Sequence, residues 1–184
     1  MWRFLFKAYL KLKGWRYVAN IPNDLKKFVL IAVPHTSNHD YPLAQAAFYL
    51  MGINVKFLAK KSLFEGPFGG LFYRWGGIPV DRNSKMNLVD QMKTQFDKTK
   101  DLALVISPEG TRKWVDSWKS GYYYIAKGAN VPIVCGYLNY EKKEAGIGPI
   151  IHDLENFDDV KHIIREFYRG VPAKFPENYN KDFK

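Results

Sequence analysis

From Lys27 onward the chain alternates short apolar runs with polar turns that open amphipathic segments. KFVLIAV (27–33) holds six consecutive apolar residues, too few for a helix and suited to a strand buried on both faces. NVKFLA (54–59), IPV (78–80), LALVIS (102–107) and VPIVCGYL (131–138) read as further strands. Asp40, with Pro42 behind it, opens a helix running to Gly52, and Ser84 is placed to cap a second in which Leu88, Val89, Met92 and Phe96 keep helical spacing. A short helix spans Tyr122 to Lys127, and a final one lies near Asp158 to Tyr168. The Gly- and Phe-rich GPFGGLFYRWGG has no clear period, and the Pro-interrupted VPAKFPENYNKDFK reads as a surface tail. Strand, polar turn and helix in repetition predict a single α/β domain, with a central mostly parallel or mixed sheet flanked by helices.

The first nineteen residues carry five cations, Arg3, Lys7, Lys11, Lys13 and Arg16, and no acid. At helical spacing Arg3, Lys7 and Lys11 form a basic stripe opposite Trp2, Leu5, Phe6, Tyr9 and Leu12, while Phe4 and Leu10 blur the division. Such a helix either lies in a membrane interface, with its cations on anionic lipid, or packs on its own domain. The expected division is residues 1–22 as an amphipathic membrane-interface helix and 23–184 as the main domain.

At 184 residues the chain suits one well-buried domain. A formal charge of +10 calls for an anionic partner: nucleic acid, an anionic membrane or a phosphorylated substrate. Cys135 is alone, so no internal disulfide forms and a cytosolic setting is expected. No stretch approaches the roughly 20 apolar residues of a spanning helix, so any membrane contact is peripheral.

Ligands of α/β domains gather beyond the carboxyl ends of the strands. Two buried strands end in PHTSNHD and PEGTRK, which places His35, Asp40, Glu109, Thr111 and Arg112 on one edge, with Arg82 arriving from a third strand end. A carboxylate from Asp40 on one imidazole nitrogen of His35 would fix the tautomer and leave the other nitrogen to take a proton from a hydroxyl. Ser37 is an alternative nucleophile, though no G-x-S-x-G elbow surrounds it. His35, His39 and Asp40 lack the spacing of a metal motif, and no metal is expected. In the second turn Gly110 lets backbone approach a ligand, Thr111 offers a hydroxyl, and Arg112 a bidentate phosphate donor. Glu109 binds a substrate hydroxyl or holds Arg112, and Arg82 is a phosphate ligand or a solvated cation.

With these motifs in order, the sequence resembles the PlsC-like glycerophospholipid acyltransferases. PHTSNHD fits the family's His-x4-Asp signature through His35 and Asp40, GGIPVDR its second block ending in Arg82, Glu109 to Arg112 its Glu-Gly-Thr-Arg, and Val131–Pro132 the start of its fourth. The resemblance implies transfer of a fatty acyl group from a thioester, acyl-CoA or acyl-ACP, to the hydroxyl of a lyso-glycerophospholipid such as 1-acylglycerol 3-phosphate. His35 would be the base and Asp40 its orienter, with no acyl-enzyme and no bound cofactor. Arg82 and Glu109, Gly110, Thr111 and Arg112 would hold the acceptor's phosphate and glycerol, and Pro132 the acyl side. The expected setting is the cytoplasmic face of a membrane, held there by the N-terminal helix. Pro34 stands where the family usually has asparagine, Cys135 where a second proline is usual and Lys113 where serine is frequent, so another lyso-lipid, including an amino-acid lipid, stays open as acceptor. The rivals are a hydrolase with the same His–Asp pair and a non-catalytic basic protein binding lipid or RNA. No RNP-type, KH or zinc motif supports nucleic-acid binding.

Overall fold

The computed structural model describes residues 2–81 and 87–183. Among the described residues the strands are β1 (Arg16–Val18), β2 (Lys27–Ala32), β3 (Val55–Lys60), β4 (Gly77–Val80), β5 (Leu102–Ile106), β6 (Ile133–Asn139) and β7 (Glu144–Ile151). The helices are α1 (Trp2–Lys13), α2 (Asp40–Leu50), α3 (Ser62–Glu65), α4 (Gly69–Arg74), α5 (Leu88–Lys98), α6 (Gly121–Ala129) and α7 (Phe157–Arg169). The strands form one mixed sheet in the order β1-β7-β6-β2-β5-β3-β4, in which β7 runs antiparallel to β6 and the other pairs are parallel.

The centre of the sheet explains the uninterrupted apolar run of β2. Val29, Ile31 and Val33 pack with Leu104, Ile133 and Cys135 in a core that includes residues of α5, α6 and α7. Phe28 and Leu30 point to the other face, against Phe48 of α2 and Val134. Successive side chains alternate between two covered faces, so both sets must be apolar. Helix α1 lies on α2 as a further layer, anchored by Leu10, Trp15, Leu43 and Leu50. Helix α7 closes the opposite layer: buried Tyr168 reaches the carbonyls of Ile31 (3.0 Å) and Gly136 (2.9 Å), in the neighbouring strands β2 and β6.

Four features differ from the sequence reading. Leu10, which seemed to blur the amphipathic pattern of α1, is that helix's buried residue, whereas Phe4 and Leu12 are 76% and 86% exposed. After α1 the chain enters the sheet as β1, paired with a β7 that local pattern did not reveal; EAGIGPII alternates too weakly to announce a strand. The C-terminal segment is no surface tail. Phe183 is 1% exposed and stacks on Trp118 at 3.5 Å, while Asn180 Nδ2 donates to the carbonyls of Val115 and Asp116. Asn87 supplies the cap of α5, accepting from Asp90 N–H at 3.0 Å; Ser84, the expected cap, lies outside the described residues.

Candidate active site

The parallel register pairs Ile31 with Ile106, so the turns that follow β2 and β5 emerge side by side. They are tied directly: the backbone N–H of His35 donates to Glu109 Oε2 at 2.9 Å. Glu109 is 5% exposed, and burial pushes its carboxyl up from 4.5 to about 7, against the opposing pull of that hydrogen bond. Ser107 Oγ approaches the same oxygen at 3.4 Å. Glu109 therefore braces the His35 turn, and no ion pair joins it to Arg112 among the described residues.

His35 Nδ1 stands 3.1 Å from Asp40 Oδ2, with the imidazole about a quarter exposed and the carboxylate nearly buried. A carboxylate only accepts, so Nδ1 carries the proton and Nε2 presents a lone pair. Asp40 begins α2, and its position is overdetermined. Ser37 N–H donates to Oδ2 at 2.9 Å, and the Tyr140 hydroxyl donates to Oδ1. Burial, then the hydrogen bond to Asp40 and its charge, raise the Tyr140 phenol, which stays a donor. Tyr140 was missed by sequence reasoning. Its signal was its place just after β6, which pairs with β2 up to Ala32–Gly136 and continues three residues beyond, past the end of β2.

The pair opens onto an apolar cavity of about 270 Å³ between α2 and the sheet, lined by His35 and by Ala44, Phe48, Phe57, Val105 and Leu138 among others. Pro132 is not brought to it. The register sets Ile133 beside Val29, so Pro132 lies at the entry end of β6, roughly 13 Å along the strand from Gly136 at 3.3 Å per residue. Gly136, Tyr137 and Leu138 line the cavity in its place.

Gly110 adopts φ +65°, a conformation glycine takes without strain, and a Cβ there would stand 3.0 Å from Lys119 Nζ. Thr111 is exposed, its hydroxyl accepting from Lys113 N–H at 3.3 Å, and Arg112 is exposed with no ion pair among the described residues. Arg82 lies outside the described residues. His39 makes other contacts than the His35–Asp40 pair: its Nδ1 accepts from Lys174 Nζ at 2.8 Å and lies 3.1 Å from Ser37 Oγ. Among the described residues no three His, Cys, Asp or Glu side chains gather as a metal site would need. Lys174 belongs to the C-terminal segment, which also gives Phe175 N–H to Thr36 Oγ1 and takes the Tyr140 N–H on Pro172 O. This strap clasps the loop after β2.

The site thus sets a partly exposed histidine against a nearly buried carboxylate at the carboxyl end of a mostly parallel sheet, above an apolar cavity. The model of the Acyltransferase family matches residues 15–138, and the chain belongs to that family. No curated protein matches the sequence. Among solved structures, the crystal structure of the 1-acyl-sn-glycerophosphate (LPA) acyltransferase PlsC from Thermotoga maritima is similar to this chain, with a TM-score of 0.64 at 18% identity, over 90% of this chain and 74% of that one. The two share the α/β fold.

Proposed function

We propose that the protein is an O-acyltransferase moving a fatty acyl group from a thioester, acyl-CoA or acyl-ACP, to a free hydroxyl of a lyso-glycerophospholipid such as 1-acylglycerol 3-phosphate. The observation that carries this reading is the 3.1 Å His35–Asp40 contact at the mouth of a cavity walled by carbon. His35 Nε2 takes the acceptor hydroxyl's proton as its oxygen attacks the thioester carbonyl. The tetrahedral intermediate then expels the thiolate, which recovers the proton from the imidazolium while Asp40 stabilises that cation. No acyl-enzyme is needed. The exposed Arg112, the Gly110–Thr111 backbone and Arg82 are assigned to the acceptor's phosphate, as the motif resemblance implies.

Peripheral attachment to a membrane belongs to the same reading. No helix among the described residues is long and apolar enough to cross a bilayer, and α1 exposes Trp2, Phe4, Leu5 and Leu12 beside Lys7 and Lys11.

The test is mass-spectrometric detection of product from a long-chain acyl thioester and a panel of lyso-lipids, with His35→Ala alongside. A diacyl product that falls about 10²- to 10⁴-fold in a folded variant is expected, the range for a positioned base. Free fatty acid in place of ester would identify a hydrolase, and turnover unchanged in the variant would remove His35 as the base.

A further inference from the structure

The glycine- and aromatic-rich segment after β3 has no part in the chemistry above, yet it is tightly built. Gly69 begins α4 where a Cβ would collide with the Phe64 carbonyl, so only glycine lets α3 and α4 close on each other. Phe64 then packs against Phe72 (ring centroids 5.7 Å) and Tyr73 (4.7 Å). Despite that internal cluster, Leu63, Phe68, Leu71, Tyr73 and Trp75 remain exposed, Phe68 by 69%. Five large apolar side chains within thirteen residues exceed the scattered exposure of an ordinary surface and mark an interaction face.

This hairpin does not stand alone. A groove of about 700 Å³ separates it from α1, with Trp2 and Leu5 on one wall and Arg74 and Trp75 on the other. Its floor includes Tyr41, Gln45 and Val55, which also line the cavity beneath His35. Tyr41, Gln45 and Val55 therefore lie between an open groove, rimmed by exposed aromatics on both sides, and the cavity that holds His35. The charge is one-sided. Residues 1–19 hold five cations and no acid, and residues 55–76 hold Lys56, Lys60, Lys61 and Arg74 against Glu65 alone. Lys61 is engaged by Asp81 at 3.3 Å.

We infer that α3–α4 and α1 together form a single docking face for an anionic lipid bilayer, and that the groove between them is the lateral mouth through which a lipid chain passes from the bilayer to the site. Tryptophan and tyrosine at the rim suit the headgroup level, where an apolar ring and a polar tip are both satisfied, and the cations meet anionic headgroups. The docking face stands without the acyltransferase reading; the purpose of the mouth rests on it.

The experiment uses the full chain and vesicles of phosphatidylglycerol and phosphatidylcholine. A Phe68→Ser/Leu71→Ser double variant, at two exposed positions that line neither the groove nor the cavity, should lose cosedimentation on the order of a hundredfold, given two large apolar side chains withdrawn from the interface. It should also lose turnover of a vesicle-borne lyso-lipid while keeping turnover of a short-chain acceptor dissolved as monomer. Unchanged vesicle binding overturns the proposal, as does an equal loss with both acceptors, which would make the hairpin part of the catalytic frame. Wild-type protein that binds vesicles but acylates neither acceptor overturns the acyltransferase reading and leaves the docking face standing. A second measurement covers a variant that misfolds. Gly70 has open space around its Cβ position and Cys135 is buried, so a polarity-sensitive dye attaches at Gly70→Cys alone. Its emission should shift to the blue on adding anionic vesicles. An unmoved spectrum, or a shift produced equally by an acidic carrier protein without lipid, overturns the bilayer as occupant.

Discussion

Glu109→Gln isolates what the buried brace beside His35 contributes. In the folded protein the carboxyl is raised from 4.5 to about 7, burial being the main cause. A raised carboxyl means that the folded state holds the proton more tightly than the unfolded chain, so its stabilising contribution is complete below 4.5 and disappears as pH climbs through about 7. At 1.36 kcal/mol per pH unit the full span is worth roughly 3 kcal/mol. Integrating the linkage, roughly 2 kcal/mol of it remains at about pH 5.5 and almost none at about pH 8. Glutamine keeps an oxygen able to accept from the His35 N–H but cannot titrate. Urea denaturation of wild type and variant at those two values is the assay, because every other titrating group cancels in the difference. The stability of Glu109→Gln relative to wild type should rise by roughly 2 kcal/mol from the acid to the alkaline condition. A difference that stays constant with pH would show that Glu109 titrates as an ordinary surface carboxylate and would refute the argument from burial.

Two further outcomes concern the groups that hold the pair in place. Tyr140→Phe removes the donor to Asp40 Oδ1, a bond to a charged acceptor worth about 1.5–3 kcal/mol. It should lower kcat by roughly tenfold to a hundredfold with little change in thioester KM; an unchanged kcat would reduce Tyr140 to packing. Phe183→Ala deletes the ring stacked on Trp118 and should cost about 3–5 kcal/mol in a denaturation experiment, whereas a change below about 1 kcal/mol would return the C-terminal strap to the status of a tail.

Much of the frame was legible from local pattern. The runs at 27–33, 54–59, 78–80, 102–107 and 131–138 each correspond to a strand, shifted by no more than two residues at an end, and the helices opening at Asp40 and near Asp158 follow their amphipathic periods. The His35 to Asp40 spacing was legible too, since five residues of turn place both side chains within one local structure. Harder to read were β1 and β7, whose pairing joins residues more than a hundred positions apart and leaves no period in either segment. The GPFGGLFYRWGG stretch carries α4, which closes on α3 because Gly69 permits a close approach to Phe64, and periodicity does not report this.

The sequence alone determined that the centre of this protein is a parallel sheet covered on both faces, because a strand buried on both sides has to be apolar at every position. It also determined that titratable groups sit where those strands end. Tertiary structure decided which groups act together. Register took Pro132 to the far end of β6 and brought Tyr140 onto Asp40; burial turned Glu109 from a prospective ligand into the brace of the His35 turn; and Trp118 drew a polar C-terminus into the core. Each of these contacts joins positions distant along the chain, and their energies come from burial and alignment that exist only once the sheet has formed.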